Sequence, residues 1–248
     1  MFGLRPRLPV SEEERLWVDE GFDRLNRLLG QGRLINARVV VPTDEFFPDA
    51  YDKRDAGLRA LFRRVCGYMG VDPAGVDLEV IPDASEVIEA LPAYEYAGEG
   101  PAGLHFGATD AERPLIAVKQ STLKDPLAAV AVLAHELGHV ILLGGGYLRR
   151  DEQDMEPMTD LATVFLGLGV FTANSSRRFV QFQDERKQGW RMNRLGYLSE
   201  VVYGYALARF AQLRRETQPT WIAHLSTNQK AYFLQSAAWL RTRVLPTQ

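Results

Sequence analysis

The run Leu133-Ala-His-Glu-Leu-Gly-His-Val-Ile-Leu142 limits more than any other what this chain folds into. It carries His135, Glu136 and His139 in the pattern His-Glu-x-x-His, flanked by apolar residues from Ala129 to Ala134 and from Val140 to Leu143. Residues i and i+4 of a helix project from one face, one turn apart. A helix apolar all round is a buried helix. Two imidazoles and a carboxylate buried together are costly unless they pair with each other or share a metal ion. The chain has only 4 histidines, and two of them fall at this spacing. Two such imidazoles can grip one zinc ion, and the glutamate beside them can take a proton from an attacking water.

At 248 residues, with 46% hydrophobic and 25% charged residues, the chain is long enough for a sizeable core. No Pro/Gly/Ser-rich linker divides it, so one domain is expected over 1–248. Helices and a sheet should occupy about 1–124, and the motif helix and a helical part about 125–248. A net charge of −3 gives no support for nucleic-acid binding. The N-terminal residues lack a signal-peptide core, and the apolar run Pro126 to Gly146 reads as too short and too polar at its centre to span a membrane. A cytoplasmic protein with no membrane partner is therefore expected. Oligomeric state is not legible. The lone Cys66 sits among apolar neighbours and reads as a core thiol.

Ser11 followed by three glutamates predicts a helix start, with Leu16, Val18, Phe22, Leu25, Leu28 and Leu29 at helical spacing and Gly30 at its end. Ala37 to Val41 reads as a short strand. The loop Pro42 to Asp52 mixes aromatics, acids and proline, and its rings should pin it to the body. A second amphipathic helix is predicted over Arg54 to Met69, with Leu58, Leu61, Phe62, Val65 and Met69 inward. Strands are predicted at Asp77–Ile81, Tyr94–Tyr96, Gly103–Gly107 and Pro114–Lys119, as a small mixed or antiparallel sheet. Asp125 and Pro126 then start the motif helix and Gly144 to Gly146 stop it. Further helices are predicted at about 156–169, 197–215 and 227–243. The polar, arginine-rich stretch between the first two reads as a solvated loop or hairpin.

A catalytic zinc commonly takes three protein ligands. One known pattern places a third histidine six residues after the second, with a glycine midway. Leu142 and Gly145 stand at those positions and exclude it. His105 and His224 remain, but Glu156 is the stronger candidate. Pro157 suits the first turn of a helix. Glu156 and Asp160 then lie four apart on one face, so Glu156 can bind metal while Asp160 accepts an N–H from a zinc-bound histidine.

His-Glu-x-x-His followed on the next helix by Glu-x-x-x-Asp resembles the gluzincin class of zinc metallopeptidases, over Leu133 to Gly169. The resemblance implies an α+β zincin-like fold, with a small mixed or antiparallel sheet beside the motif helix and a mostly helical C-terminal half. It implies His135, His139 and Glu156 as zinc ligands, Glu136 as general base and Asp160 as the carboxylate behind a ligand. It also implies a downstream oxyanion donor. Tyr147, Tyr197, Tyr203, Tyr205 and His224 are candidates, with Tyr197 preferred. By the same analogy the strand Pro114–Lys119 borders the cleft and offers a free edge to an extended peptide. The expected function is zinc-dependent hydrolysis of peptide bonds in a peptide or protein substrate. The alternative is an intracellular zincin-like metal-binding protein with a regulatory or partner-binding role and little general protease activity.

Overall fold

A computed structural model describes residues 6–83, 103–106, 113–181 and 198–243. Helix α1 (Glu12–Leu29) begins with a reciprocal cap: the Ser11 hydroxyl accepts from the Glu14 N–H at 3.2 Å, and the Glu14 carboxylate accepts from the Ser11 N–H at 2.7 Å. Val18, Phe22 and Leu25 form its buried stripe, Leu28 and Leu29 are half-buried, and Leu16 faces out. Gly30 ends it, and the short α2 (Gln31–Asn36) follows at once.

The segment 37–41 is not a strand. Its backbone groups are committed elsewhere. The Ala37 carbonyl, with those of Leu34 and Ile35, accepts from the Arg214 guanidinium at 2.9, 2.6 and 3.0 Å, and the Val40 N–H donates to Gly167. The following loop is pinned by rings as expected. Phe46 is buried edge-on to Tyr68, and Phe47 packs edge-on to Tyr68 and Phe171. Helix α3 (Asp55–Met69) buries Leu58, Leu61, Phe62, Val65 and Met69 together with Cys66, whose thiol burial pushes up to about 12.

Strands β1 (Asp77–Ile81), β2 (Gly103–Phe106) and β3 (Leu115–Lys119) form a mixed sheet in the order β1-β3-β2, with β1 parallel and β2 antiparallel to β3. The expected free edge on β3 is therefore absent, because β3 is the central strand. Its consecutive buried residues Ile116, Ala117 and Val118 suit a strand covered on both faces. The strand predicted at Tyr94–Tyr96 lies outside the described residues.

The motif helix α4 (Pro126–Gly144) starts where predicted. Asp125 accepts from the Leu127 and Ala128 N–H groups, and Pro126 fills the first turn. By length and composition it matches a membrane-crossing helix, against the expectation, and 67% of its most apolar 18-residue stretch is buried inside the molecule. It packs against α3, β2 and the next two helices, α5 (Met155–Phe165) and α6 (Gly169–Gln181). The predicted helix 156–169 breaks at Gly167, whose φ of +89° leaves the helical region, and whose missing Cβ makes room for the Arg38 carbonyl. The stretch after it, predicted as loop, is helical as far as Gln181, and polar side chains of its first turns find partners on other elements. Thr172 pairs with Thr163 at 2.9 Å, and Asn174 donates to the His224 carbonyl at 2.8 Å. Helices α7 (Glu200–Leu213) and α8 (Thr227–Arg241) close the chain as a packed pair. One apolar cluster runs from Val10 to Leu240 through all these layers.

Candidate metal centre

Helices α4 and α5 build the site between them. The contact is close because residue 138 is glycine: a Cβ there would lie 2.8 Å from Thr159 Cγ2. On α4, His135, Glu136 and His139 are each buried. On α5, Asp160 is buried and Glu156 is half-buried with its carboxylate turned to the histidines.

His135 Nε2 and His139 Nε2 lie 3.1 Å apart, with the two rings nearly perpendicular at 87°. Glu156 Oε2 is 3.0 Å from the first and 3.4 Å from the second. Ligand bonds of zinc to nitrogen or oxygen set a tetrahedral edge of about 3.3 Å. The three donor atoms thus have nearly the spacing of one face of a zinc coordination shell. Among the described residues this is the one group of three such side chains close enough to share an ion.

Hydrogen bonding makes the case chemically. His135 Nδ1 lies 2.9 Å from Asp160 Oδ1, a carboxylate that only accepts. The Nδ1 proton is therefore in place, and a neutral His135 turns its Nε2 lone pair toward the Glu156 carboxylate. Two acceptors at that distance need a cation between them. Without metal a proton fills that role. Burial works to lower the His135 pKa, but Asp160 and Glu156 override it and raise it well above the ordinary imidazole value. For Glu156, burial would raise the carboxyl pKa. The two imidazoles outweigh it and hold the group well below the usual carboxylate range.

Glu136 has another character. Burial pushes its carboxyl pKa up, against the pull of His139 and His135. Among the described residues nothing hydrogen-bonds to its side chain. A buried carboxylate of raised basicity is able to accept a proton.

The acids that precede Glu156 have other partners. Arg24 of α1 binds Glu152 at 2.8 Å and approaches Asp154 at 3.7 Å, and exposed Asp151 meets Arg149. Asp160 does more than expected, for its second oxygen accepts from the Leu198 N–H at 2.9 Å, just before α7. Thr159 was not foreseen at all. Its hydroxyl lies 3.2 Å from His139 Nδ1.

Tyr197, the preferred oxyanion donor, lies outside the described residues. Tyr205 is committed elsewhere, donating to Asp19 at 2.9 Å, and Tyr203 is buried in α7. Tyr147 stands at the turn after α4, and His224 in a 3-10 turn near α8. His105 falls on β2. The residues of the arginine-rich stretch from 182 to 194 lie outside the described residues.

No protein-family model, no curated protein and no solved structure matches this chain.

Proposed function

We propose that a protein holding His135, His139 and Glu156 in this way is a zinc-dependent metallopeptidase of the zincin type. The observation that carries the proposal is the convergence of two Nε2 atoms and one carboxylate oxygen within 3.4 Å of each other. The neutral imidazoles and the carboxylate are a donor set that zinc accepts readily. The order of residues along α4 and α5, and the mixed sheet beside α4, support the gluzincin resemblance.

When bound, zinc lowers the pKa of a coordinated water towards about 7 and polarises a substrate carbonyl. The chain's own residues do the rest. Glu136 takes a proton from the attacking water and delivers it to the leaving amine nitrogen, a role that its burial-raised pKa suits. Asp160 holds His135 in the Nδ1–H tautomer and increases its basicity as a ligand. The substrate is a peptide or protein.

Glu136 is what separates a catalytic centre from a purely structural one, since holding a metal needs no general base. The test compares wild type with Glu136→Gln for zinc content and for hydrolysis of casein and a mixed fluorogenic peptide library. One equivalent of zinc in both proteins, with hydrolysis only in wild type, is the expected result. Equal hydrolysis in both would overturn the mechanism. One equivalent of zinc with hydrolysis in neither would favour the metal-binding, regulatory role instead.

A further inference from the structure

We propose that Thr159 is the positioning residue for His139, and that adjacent residues of α5, Thr159 and Asp160, set the tautomers of both histidines. The consequence for metal affinity rests on the metal-centre reading above; the tautomer assignment does not.

A hydroxyl has one proton to give. Thr159 Oγ1 gives it to the carbonyl of Met155, one turn back on α5, at 2.8 Å. Toward His139 Nδ1, at 3.2 Å, the hydroxyl is then left as an acceptor. The ring must supply the proton, so His139 carries it on Nδ1 and directs its Nε2 lone pair toward His135 and Glu156. The residue is fully buried, so no bulk water competes for the bond.

The packing that brings Thr159 there is specific. Its methyl group fills the space that Gly138 leaves open on α4, between the two histidines in sequence. Methyl and hydroxyl thus do separate jobs: one sets the approach of the helices and the other sets the proton. A neutral acceptor also fixes the tautomer without adding a fourth carboxylate to a pocket that already holds Glu136, Glu156 and Asp160.

Two substitutions divide these jobs. Thr159→Val keeps the shape and removes the acceptor, while Thr159→Ser keeps the hydroxyl and removes the methyl. The first readout is the imidazole nitrogen chemical shifts of the metal-free protein, at a pH where His139 is neutral. Wild type and Thr159→Ser should show the Nδ1–H form, and Thr159→Val should lose that preference. The second is zinc affinity by competition with a chelating dye, with the visible spectrum of the cobalt-substituted protein. Loss of an orienting partner of this kind lowers metal affinity about 10–100-fold. Thr159→Val should fall by that factor with an altered cobalt spectrum, while Thr159→Ser stays within about threefold. Circular dichroism reports whether each variant folds, and the serine variant decides if the valine variant does not.

An Nε2–H tautomer of His139 in wild type would overturn the proposal. So would unchanged zinc affinity in a folded Thr159→Val protein. Failure of the wild type to bind zinc would sink the metal reading alone, because the nitrogen shifts still decide the role of Thr159.

Discussion

Each imidazole here has its Nδ1 against a partner on α5 while its Nε2 faces Glu156, but the two partners differ in kind. Asp160 is a buried carboxylate and Thr159 a buried hydroxyl. Replacing Asp160 by Asn keeps the size and removes the charge. It should lower zinc affinity about 10–100-fold, measured by chelator competition, because the charge that strengthens His135 as a ligand is gone. Cys66 offers a check on the core at the same scale. Its thiol, pushed up to about 12 by burial, should resist iodoacetamide in the native protein near neutral pH and react on unfolding in urea. Rapid labelling of native protein would contradict its placement on the buried face of α3. At this scale the site was largely readable before the structure. His135, His139, Glu156 and Asp160 stand at helical spacings, which a linear sequence displays directly. Thr159 was not readable, because its role depends on how α5 is rotated against α4, and no spacing within one helix encodes that.

Between elements, the glycine of the motif and the methyl of Thr159 set the distance from α4 to α5. Gly138→Ala places a Cβ against that methyl, and overpacking of this sort costs about 1–3 kcal/mol. The variant should show a lower unfolding midpoint in denaturant and weaker zinc binding together. Arg214 is a contrasting case. It serves three carbonyls at the end of α2, none of them a partner of the histidines. Hydrogen bonds to a charged group are worth about 1.5–3 kcal/mol each, and less where water reaches them. Arg214→Met should therefore destabilise the fold while leaving zinc affinity unchanged, and a parallel loss of affinity would show the two regions to be coupled. The elements least visible in the sequence share one cause. Residues 37–41 look like a strand but spend their backbone groups on Arg214 and Gly167. The start of α6 looks like loop but satisfies Thr172 and Asn174 through partners on other elements.

For the molecule as a whole, a metal that binds only the folded state adds stability by mass action. Zinc at about 100 times its dissociation constant adds about 2.7 kcal/mol, which for a chain of this size raises the melting temperature by about 5–10 °C. Chelation with EDTA should reverse the gain, and a metal-independent melting curve would count against the site. Acid works in the same direction as the chelator. The raised His135 pKa means that a proton competes for its Nε2, so affinity should drop as pH falls from about 8 to about 6 and recover on return. The described fold has an α+β outline that hydrophobic periodicity revealed well, because its longest helices carry strong patterns and clear caps. The order of the strands was hidden, since it is set by tertiary pairing. The tether from Asp160 to the Leu198 N–H has a further consequence, one of timing. During synthesis the two histidines leave the ribosome first, Glu156 and Asp160 follow, and the anchor for Asp160 comes some 38 residues after it. A half-made chain therefore holds its histidines without the brace that orients them. The carboxylate behind His135 is tethered only once Leu198 has emerged, so this corner of the α4–α5 cluster is among the last to be fixed.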